Sequence, residues 1–544
     1  MPRLSSFISP LRWRDYAERR LETWRRDRGD DVLDAELHNI GPVRLGGGQA
    51  TIVADGMWRN PNHFLRLRLF LEAFVGRGSY RLLGILRRRS DWRERRALER
   101  IGFREFVFIE EDEIKTEQFL AEAALLLAGA RSHADLLKLT LPEELPAYVY
   151  FDTVLKLAAH PRPPLTSPLW QSTLAELLRN LAIYRRELAH RDVREVVLSH
   201  PWKSEWAALT WLSLGRDVPV YHLTGFCEGL RIRRFRRQED YATPVEHLPV
   251  SVFNSLAADV QEEIASAGAS DLDRRTSGCS SDLNVRYAFN PSTRIAERTA
   301  ARLALSGQAE RPVVVIYGHV WYDFPHTFAM RNFTDFLDWT ECTLGKIRTL
   351  EDTVWLLKPH PTEGWYGGFS LADVAQDLPA HVRLLPRDTD SQTAIMAADS
   401  IVTVHGTIGL EAAAQGIPVV LGDRSYYSDW DVGYVAQDRA HYLSLLQRAS
   451  RLAPPDHAAQ KRARACFAMA VGEPPAGAGA LKLSCDSSGS ALYSEVSGLL
   501  RSNRSALARE SERILRFLDQ DAIDSFAAYH LLMTASLKRL QQVA

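Results

Sequence analysis

Five apolar runs between residues 311 and 422 constrain this chain more than any other feature: "RPVVVIYGH", "TVWLLKP", "VRLLP", "SIVTV" and "IPVVLG". Each is short and nearly continuous in aliphatic residues, whereas a strand with one wet face would alternate apolar and polar. Helical stretches separate them. One is "FTDFLDWTECTLGKIRTL", a second starts near Asp390 and a third near Thr407. Strand–helix–strand spacing of this kind predicts a parallel sheet covered by helices on both faces.

The first half carries a looser copy of the pattern. "ATIVADGMW", "SYRLLGILRR" and "REFVFIEE" read as strands, with the helical "SDWRERRALERIG" between the last two. "REVVLSHPWKSEWAALTWLSLGRDVPVYHLTG" gives a strand, a loop at His200–Pro201, a helix from about Ser204 and a further strand. At 544 residues the chain is too long for one ordinary core. The expected fold class is α/β: two Rossmann-like domains whose parallel sheets face a cleft, with helical extensions at both ends. The expected division is 1–40 as a basic helical extension, 41–300 as the first Rossmann-like domain with a helical insertion, 301–450 as the second Rossmann-like domain, and 451–544 as loop and C-terminal helices. Residues from about 260 to 310 are polar and read as a linker or excursion.

Composition removes several classes of function. Acidic and basic residues nearly cancel, 68 against 67, so no general nucleic-acid-binding surface is expected. The five cysteines (Cys227, Cys279, Cys342, Cys466, Cys485) have neither CxxC nor zinc spacing, which fits free thiols in a reducing compartment. The N-terminal segment has no apolar signal-peptide core, and "AEAALLLAGA" is too short to span a bilayer. The expected location is cytoplasmic, with a peripheral place on the inner face of the membrane as the extended version. In "DTDS", Asp390 precedes a helix and reads as its N-cap rather than a metal ligand. No tightly bound metal or cofactor is expected.

Strands of one sense end on one edge of a parallel sheet, and ligands bind there. In "SIVTVHGTIGLEAAAQGIPVVLGD" a strand runs into His405, Gly406 and Thr407, and a helix begins. The first N–H groups of that helix have no partner of their own, and its dipole favours an anion by ~0.3–1 kcal/mol. Gly406 and Gly409 let a phosphate approach the backbone. Thr407 either caps the helix or bonds a phosphate oxygen. Glu411 either reaches a ribose diol or is a solvated first-turn carboxylate. Gly318 and His319 close the opening strand on the same edge. In "KPHP", Pro359 and Pro361 remove two donors and fix two φ angles, so His360 sits in a stiff corner. Lys358 and His360 should lie within reach of a diphosphate held at Thr407. In the first half, Asp55 and His200 end strands and Glu228 follows one, all candidate bases or nucleophiles. "RIRRFRR" contains Arg231, Arg233 and Arg234, read as a solvated basic surface or a site for an anionic acceptor, donor phosphates or acidic lipid.

At "KPHP" and "HGTIGLEAAAQGIPVVLG" the chain resembles the capsule polysaccharide biosynthesis family, which includes Kdo-transferase-like GT-B glycosyltransferases. The resemblance covers about residues 311–435, with a weaker echo at 196–231. It implies that His360–Pro361 and Thr407 hold the phosphates of a nucleotide sugar, CMP-Kdo or another CMP or UDP sugar. It also implies a polysaccharide or glycolipid acceptor, contact with the inner membrane or capsule assembly proteins, and metal-independent transfer. The family's acidic-acidic-glycine motif has its nearest match in Cys227–Glu228–Gly229, with Cys in the first acidic position. Alternative readings are a CDP-glycerol-type glycerophosphotransferase, a nucleotide-sugar epimerase, or a non-catalytic capsule assembly or export protein.

Overall fold

The computed structural model describes residues 27–224, 230–244, 246–280, 283–328, 330–363, 368–472 and 490–543. The basic helix expected before residue 27 lies outside them; residues 27–40 are helical.

Two six-stranded sheets organise the chain. The first contains β1 (Gly46–Asp55), β2 (Tyr80–Leu86), β3 (Glu105–Phe108), β4 (Asp192–Leu198), β5 (Val220–Thr224) and β6 (Arg231–Phe235), in the order β3-β2-β1-β4-β5-β6. All neighbours are parallel except β5 and β6. The second contains β7 (Val313–Tyr317), β8 (Val354–Lys358), β9 (Val382–Leu384), β10 (Ser400–Thr403), β11 (Val419–Leu421) and β12 (Tyr434–Val435), in the order β12-β11-β10-β7-β8-β9 and parallel throughout. Each sheet therefore starts in its middle and winds outward in both directions. That is the doubly wound order, and it creates a crevice where the winding reverses: between β1 and β4, and between β7 and β10.

The apolar runs form buried strands because alternate residues feed different cores. Val314, Ile316, Trp355 and Leu357 enter one cluster, while Val313, Val315, Tyr317, Val354 and Leu356 enter another. The first of these clusters also takes Val53, Ile85, Val196 and Leu198 from the first sheet, so one apolar core is continuous between the two sheets.

The helices that position the site are α1 (Pro61–Glu72), α2 (Ala147–Ala158), α3 (Ser204–Leu214), α4 (Ala258–Thr276), α5 (Phe336–Ile347), α6 (Ser391–Ala397), α7 (Thr407–Ala414) and α8 (His457–Ala470). Asp390 caps α6, accepting from Thr393 N at 2.8 Å, as its position before the helix predicts. Much of the segment read as a polar linker is helix α4, whose Val260, Ile264 and Leu272 are buried in the second sheet's core. The chain then returns: α9 (Ser490–Ser502) and α10 (Arg504–Leu518) place Val496, Leu500, Ile514 and Phe517 in the first sheet's outer core. Helix α11 (Phe526–Val543) places Leu531 and Ala535 in the second sheet's core.

"RIRRF" is strand β6, not an open basic surface. Arg231 donates to the carbonyls of Ala470, Val471 and Gly472. Arg233 is buried and donates to His247 O, and Arg234 is buried and donates to Asp524 and to Gln520 O. This corrects the expectation of an anion-binding face at Arg231, Arg233 and Arg234. An antiparallel edge strand needs its outer side covered, and here the guanidinium groups fasten that cover.

No helix among the described residues is long and apolar enough to cross a membrane.

Candidate functional site

A cavity of about 350 Å³ opens at the carboxyl ends of β7, β8 and β10. Its lining includes Gly318 and His319 after β7, His360 and Pro361 after β8, and His405, Gly406, Thr407 and Glu411 after β10. Three loops separated by up to about a hundred residues thus converge because the strand order is β8-β7-β10.

The β10–α7 turn is built for an uncapped helix start. Gly406 is the N-cap, and α7 has no side-chain cap. Thr407 is the first helical residue rather than the cap, and its Oγ1 accepts from the Tyr426 hydroxyl at 3.3 Å. Thr403 Oγ1 accepts from Gly406 N at 3.2 Å, and the Tyr427 hydroxyl donates to Gly406 O at 2.6 Å. Thr407 and Ile408, at the start of α7, line the cavity, and no side chain caps their N–H groups. Gly409 lies behind the turn. A Cβ there would collide with the Tyr427 hydroxyl.

Three histidines line this end of the cavity. His360 Nδ1 accepts from Thr362 N at 3.3 Å and pairs with Thr362 Oγ1 at 3.0 Å. A backbone N–H can only donate, so the neutral ring carries its proton on Nε2. Burial lowers the His360 pKa to about 4, with Lys358 adding to the effect and Asp323 opposing it. His319 stacks on Phe336, 4.8 Å between centroids and 9° from parallel, and its Nε2 lies 3.0 Å from Thr403 Oγ1. His405 meets His319 edge-on at 4.9 Å. Burial holds His319 well below its ordinary value and His405 at about 3. Burial therefore favours the neutral form of all three imidazoles.

Lys358 is not among the lining residues. Alternation along β8 turns it into the core with Val354 and Leu356, where it is fully buried and its Nζ is 5.8 Å from the Tyr317 ring centroid. Nζ has no hydrogen-bond partner among the described residues. Burial lowers its pKa to about 8, against the pull of Asp390 and Asp388. This corrects the expectation that Lys358 faces the same ligand as His360.

Glu411 lines the cavity but is not a solvated first-turn carboxylate. It is buried, and Arg275 of α4 donates to its Oε1 at 2.5 Å. Arg275 comes from the stretch read as a linker, so no local pattern marked it.

In the first sheet the crevice between β1 and β4 holds a second cluster. Asp55 is fully buried; Ser199 N donates to its Oδ2 at 2.6 Å and Ser199 Oγ to its Oδ1 at 2.9 Å. Ser199 Oγ also lies 3.1 Å from His200 Nδ1. A hydroxyl that gives its one hydrogen to Asp55 can only accept from His200, so Nδ1 carries the ring proton and Nε2 is left as the acceptor. Burial lowers the His200 pKa to about 4, with Asp55 opposing. His63 of α1 donates from Nε2 to Asp55 O at 2.8 Å, and the same nitrogen stands 3.5 Å from Oδ1. Ser199 and His63 were not marked by the sequence: a serine after a strand and a histidine inside a helix carry no pattern. Cys227, Glu228 and Gly229 lie outside the described residues.

A chain of rings runs from beside His200 to the segment after β7. Tyr241 donates to Pro201 O at 3.0 Å and lies 6.4 Å from Tyr148. Tyr148 stacks on His326 at 6.1 Å. His326 follows β7 and is bound by Asp152 of α2, at 2.7 Å through Nδ1 and 3.1 Å through its backbone N. Lys156 of α2 also pairs with Asp323 in the cavity wall, at 2.9 Å.

Among the described residues, no group of three or more His, Cys, Asp or Glu could hold a metal ion.

No family model matches this sequence, and no curated protein matches it. Among solved structures, the chain is similar to KpsC, the beta Kdo 2,4 transferase of Thermosulfurimonas dismutans. The TM-score is 0.33 at 13% identity, over 50% of this chain and 79% of that one. It is also similar to UDP-GlcNAc 2-epimerase from Neisseria meningitidis, with a TM-score of 0.25 at 10% identity over 73% and 90% of the two chains. A third is a mutant of Thermobaculum terrenum O-GlcNAc transferase, with a TM-score of 0.26 at 11% identity over 91% and 75%. All three scores lie below 0.5.

Proposed function

We propose that this chain is a GT-B glycosyltransferase that moves a sugar from a nucleotide-activated donor to a surface-polysaccharide or glycolipid acceptor. The observation that carries the reading is the convergence of His360, His319 and the uncapped start of α7 on one cavity at the winding reversal of the second sheet. Donor N–H groups and a helix N-terminus at such a crevice suit a phosphate. The resemblance at "KPHP" and "HGTIGLEAAAQGIPVVLG" supports a CMP or UDP sugar, with CMP-Kdo the first donor to test.

In this reading the α7 N–H groups and His360 Nε2–H take the charge that grows on the departing phosphate, an electrostatic role. His360 is the phosphate-side ligand. The acceptor hydroxyl is activated from the first sheet. His200 is the base, because its Nε2 is free to accept while Asp55 is already engaged by Ser199. Asp55 then acts through Ser199 by fixing the His200 tautomer. Glu228 remains the third candidate for this step.

The test is turnover with a panel of CMP-, CDP- and UDP-linked donors, with and without glycan acceptors. The expected result is release of free nucleotide and transfer of the sugar, with both donor affinity and turnover reduced by His360→Ala. Unchanged affinity and turnover in that variant would remove the leaving-group assignment. A sugar epimerised while still attached to its nucleotide, or transfer of glycerol phosphate from CDP-glycerol, would replace the proposal with one of its alternatives.

A further inference from the structure

Glu246 is a part of the cavity that no phosphate explains. It lies in the short segment between β6 and α4, reaches the cavity from outside the second sheet, and lines it together with Arg275, Val285, Ala288, Phe289 and Tyr426. Three features give this end of the cavity a different chemistry from the His360 end.

The first is distance. From Thr407 to Glu411 is one turn of α7, about 6 Å of rise. A phosphate at the helix start therefore places the next unit of a nucleotide, its ribose, beside Glu411. The base then falls beyond Glu411. The second is surface. Val285 and Phe289 are buried apolar side chains in the wall at that end, suited to the flat face of a base. The third is an unanswered polar atom. Of the other carboxylates lining the cavity, Asp323 is paired with Lys156 and Glu411 with Arg275. Glu246 Oε2 is shut off from solvent with no hydrogen-bond partner among the described residues. A buried polar atom left unpaired calls for a partner that binds there.

We infer that Glu246 reads the hydrogen-bonding edge of the donor's nucleobase. The inference rests on the proposed nucleotide-sugar function and names the group that would set its nucleotide preference. A neutral carboxyl group has one O–H donor beside one C=O acceptor. That pair matches the adjacent acceptor and donor on the edge of a cytosine or a uracil, the edge by which proteins read an unpaired base. Burial raises the Glu246 pKa above the ordinary carboxylate value, against the opposing pull of its own backbone N–H and of Arg231 and Arg233, and so favours the neutral form.

Calorimetric titration of the full chain with CMP, UMP and ribose 5-phosphate separates the possibilities. Glu246→Ala should weaken CMP and UMP by at least about tenfold, the order expected for loss of a two-point base contact. Ribose 5-phosphate, which lacks the base, should bind the variant as it binds the parent. Glu246→Gln, whose amide keeps one donor and one acceptor, should hold nucleotide affinity within about threefold. If Glu246→Ala loses ribose 5-phosphate as well, Glu246→Leu, close to the parent in volume, is read the same way. Nucleotide affinity unchanged in the Ala or Leu variant overturns the inference and leaves the proposed function standing. A parent chain that binds no nucleotide overturns both.

Discussion

His360 shows how a single residue's surroundings set its chemistry. The two prolines stiffen its corner, Thr362 fixes its tautomer, and burial lowers its pKa to about 4. A bound phosphate favours the charged ring and raises that value. Between the two values the complex holds more protons than the free protein, so binding takes up protons and tightens as the pH falls. Calorimetry of UDP binding in two buffers of different ionisation enthalpy should show proton uptake growing from pH 7.5 to pH 5.5, and none attributable to this site in His360→Ala. Buffer-independent heats in the parent chain would contradict the contact. His360, Asp55 and His200 were legible in the sequence because each ends an apolar run, and strand ends of one sense share an edge. Ser199, His63 and Arg275 were not, because their partners lie far away in sequence. Lys358 was misread for a simpler reason: it is still inside the strand, where alternation sends it into the core with Val354 and Leu356, whereas His360 lies past the strand's end.

Among the elements, α7 bears most of the proposed function, and its start is held by a lock rather than a cap. Tyr427 reaches back to Gly406 O and passes over Gly409, which has no side chain to obstruct it. Gly409→Ala puts a methyl group against the Tyr427 hydroxyl and within 3.0 Å of Val419 Cγ1. Overpacking of this kind costs about 1–3 kcal/mol. Urea unfolding should show that loss, and nucleotide affinity should fall with it because the displaced tyrosine releases the turn. Parent-like stability and affinity would show that the lock does not hold the site. The strands of the second sheet were readable one by one, since each is fully buried and so nearly all apolar. Helix α4 was not recognised, although Val260, Ile264, Gly268 and Leu272 recur every four residues. The apolar stripe is thin and is interrupted by Gly268, where a Cβ would strike the Arg464 carbonyl of α8, so the stretch reads as a polar linker. Strand β6 was misread because its arginines find their partners at residues 247, 470–472 and 520–524, which no local pattern reveals.

At the scale of the whole molecule, two doubly wound sheets share a continuous core, and helices α9 to α11 return to close both outer cores. The pairing of sheets followed from the repeat of strand–helix patterning in the two halves. The return of the C-terminal helices did not, because their apolar faces say that they dock but not where. The ring chain Tyr241–Tyr148–His326 and the Lys156–Asp323 pair link the side of the first sheet that carries the His200 cluster to the second sheet, as the proposed transfer between the two halves requires. A crystal structure of the full chain with CMP or UDP bound tests this account most directly. The account predicts phosphate oxygens at the first turn of α7 within hydrogen-bonding distance of His360 Nε2, the ribose beside Glu411 and the base toward Glu246. A nucleotide bound anywhere else, or bound here with its phosphates away from His360 and the start of α7, would contradict it.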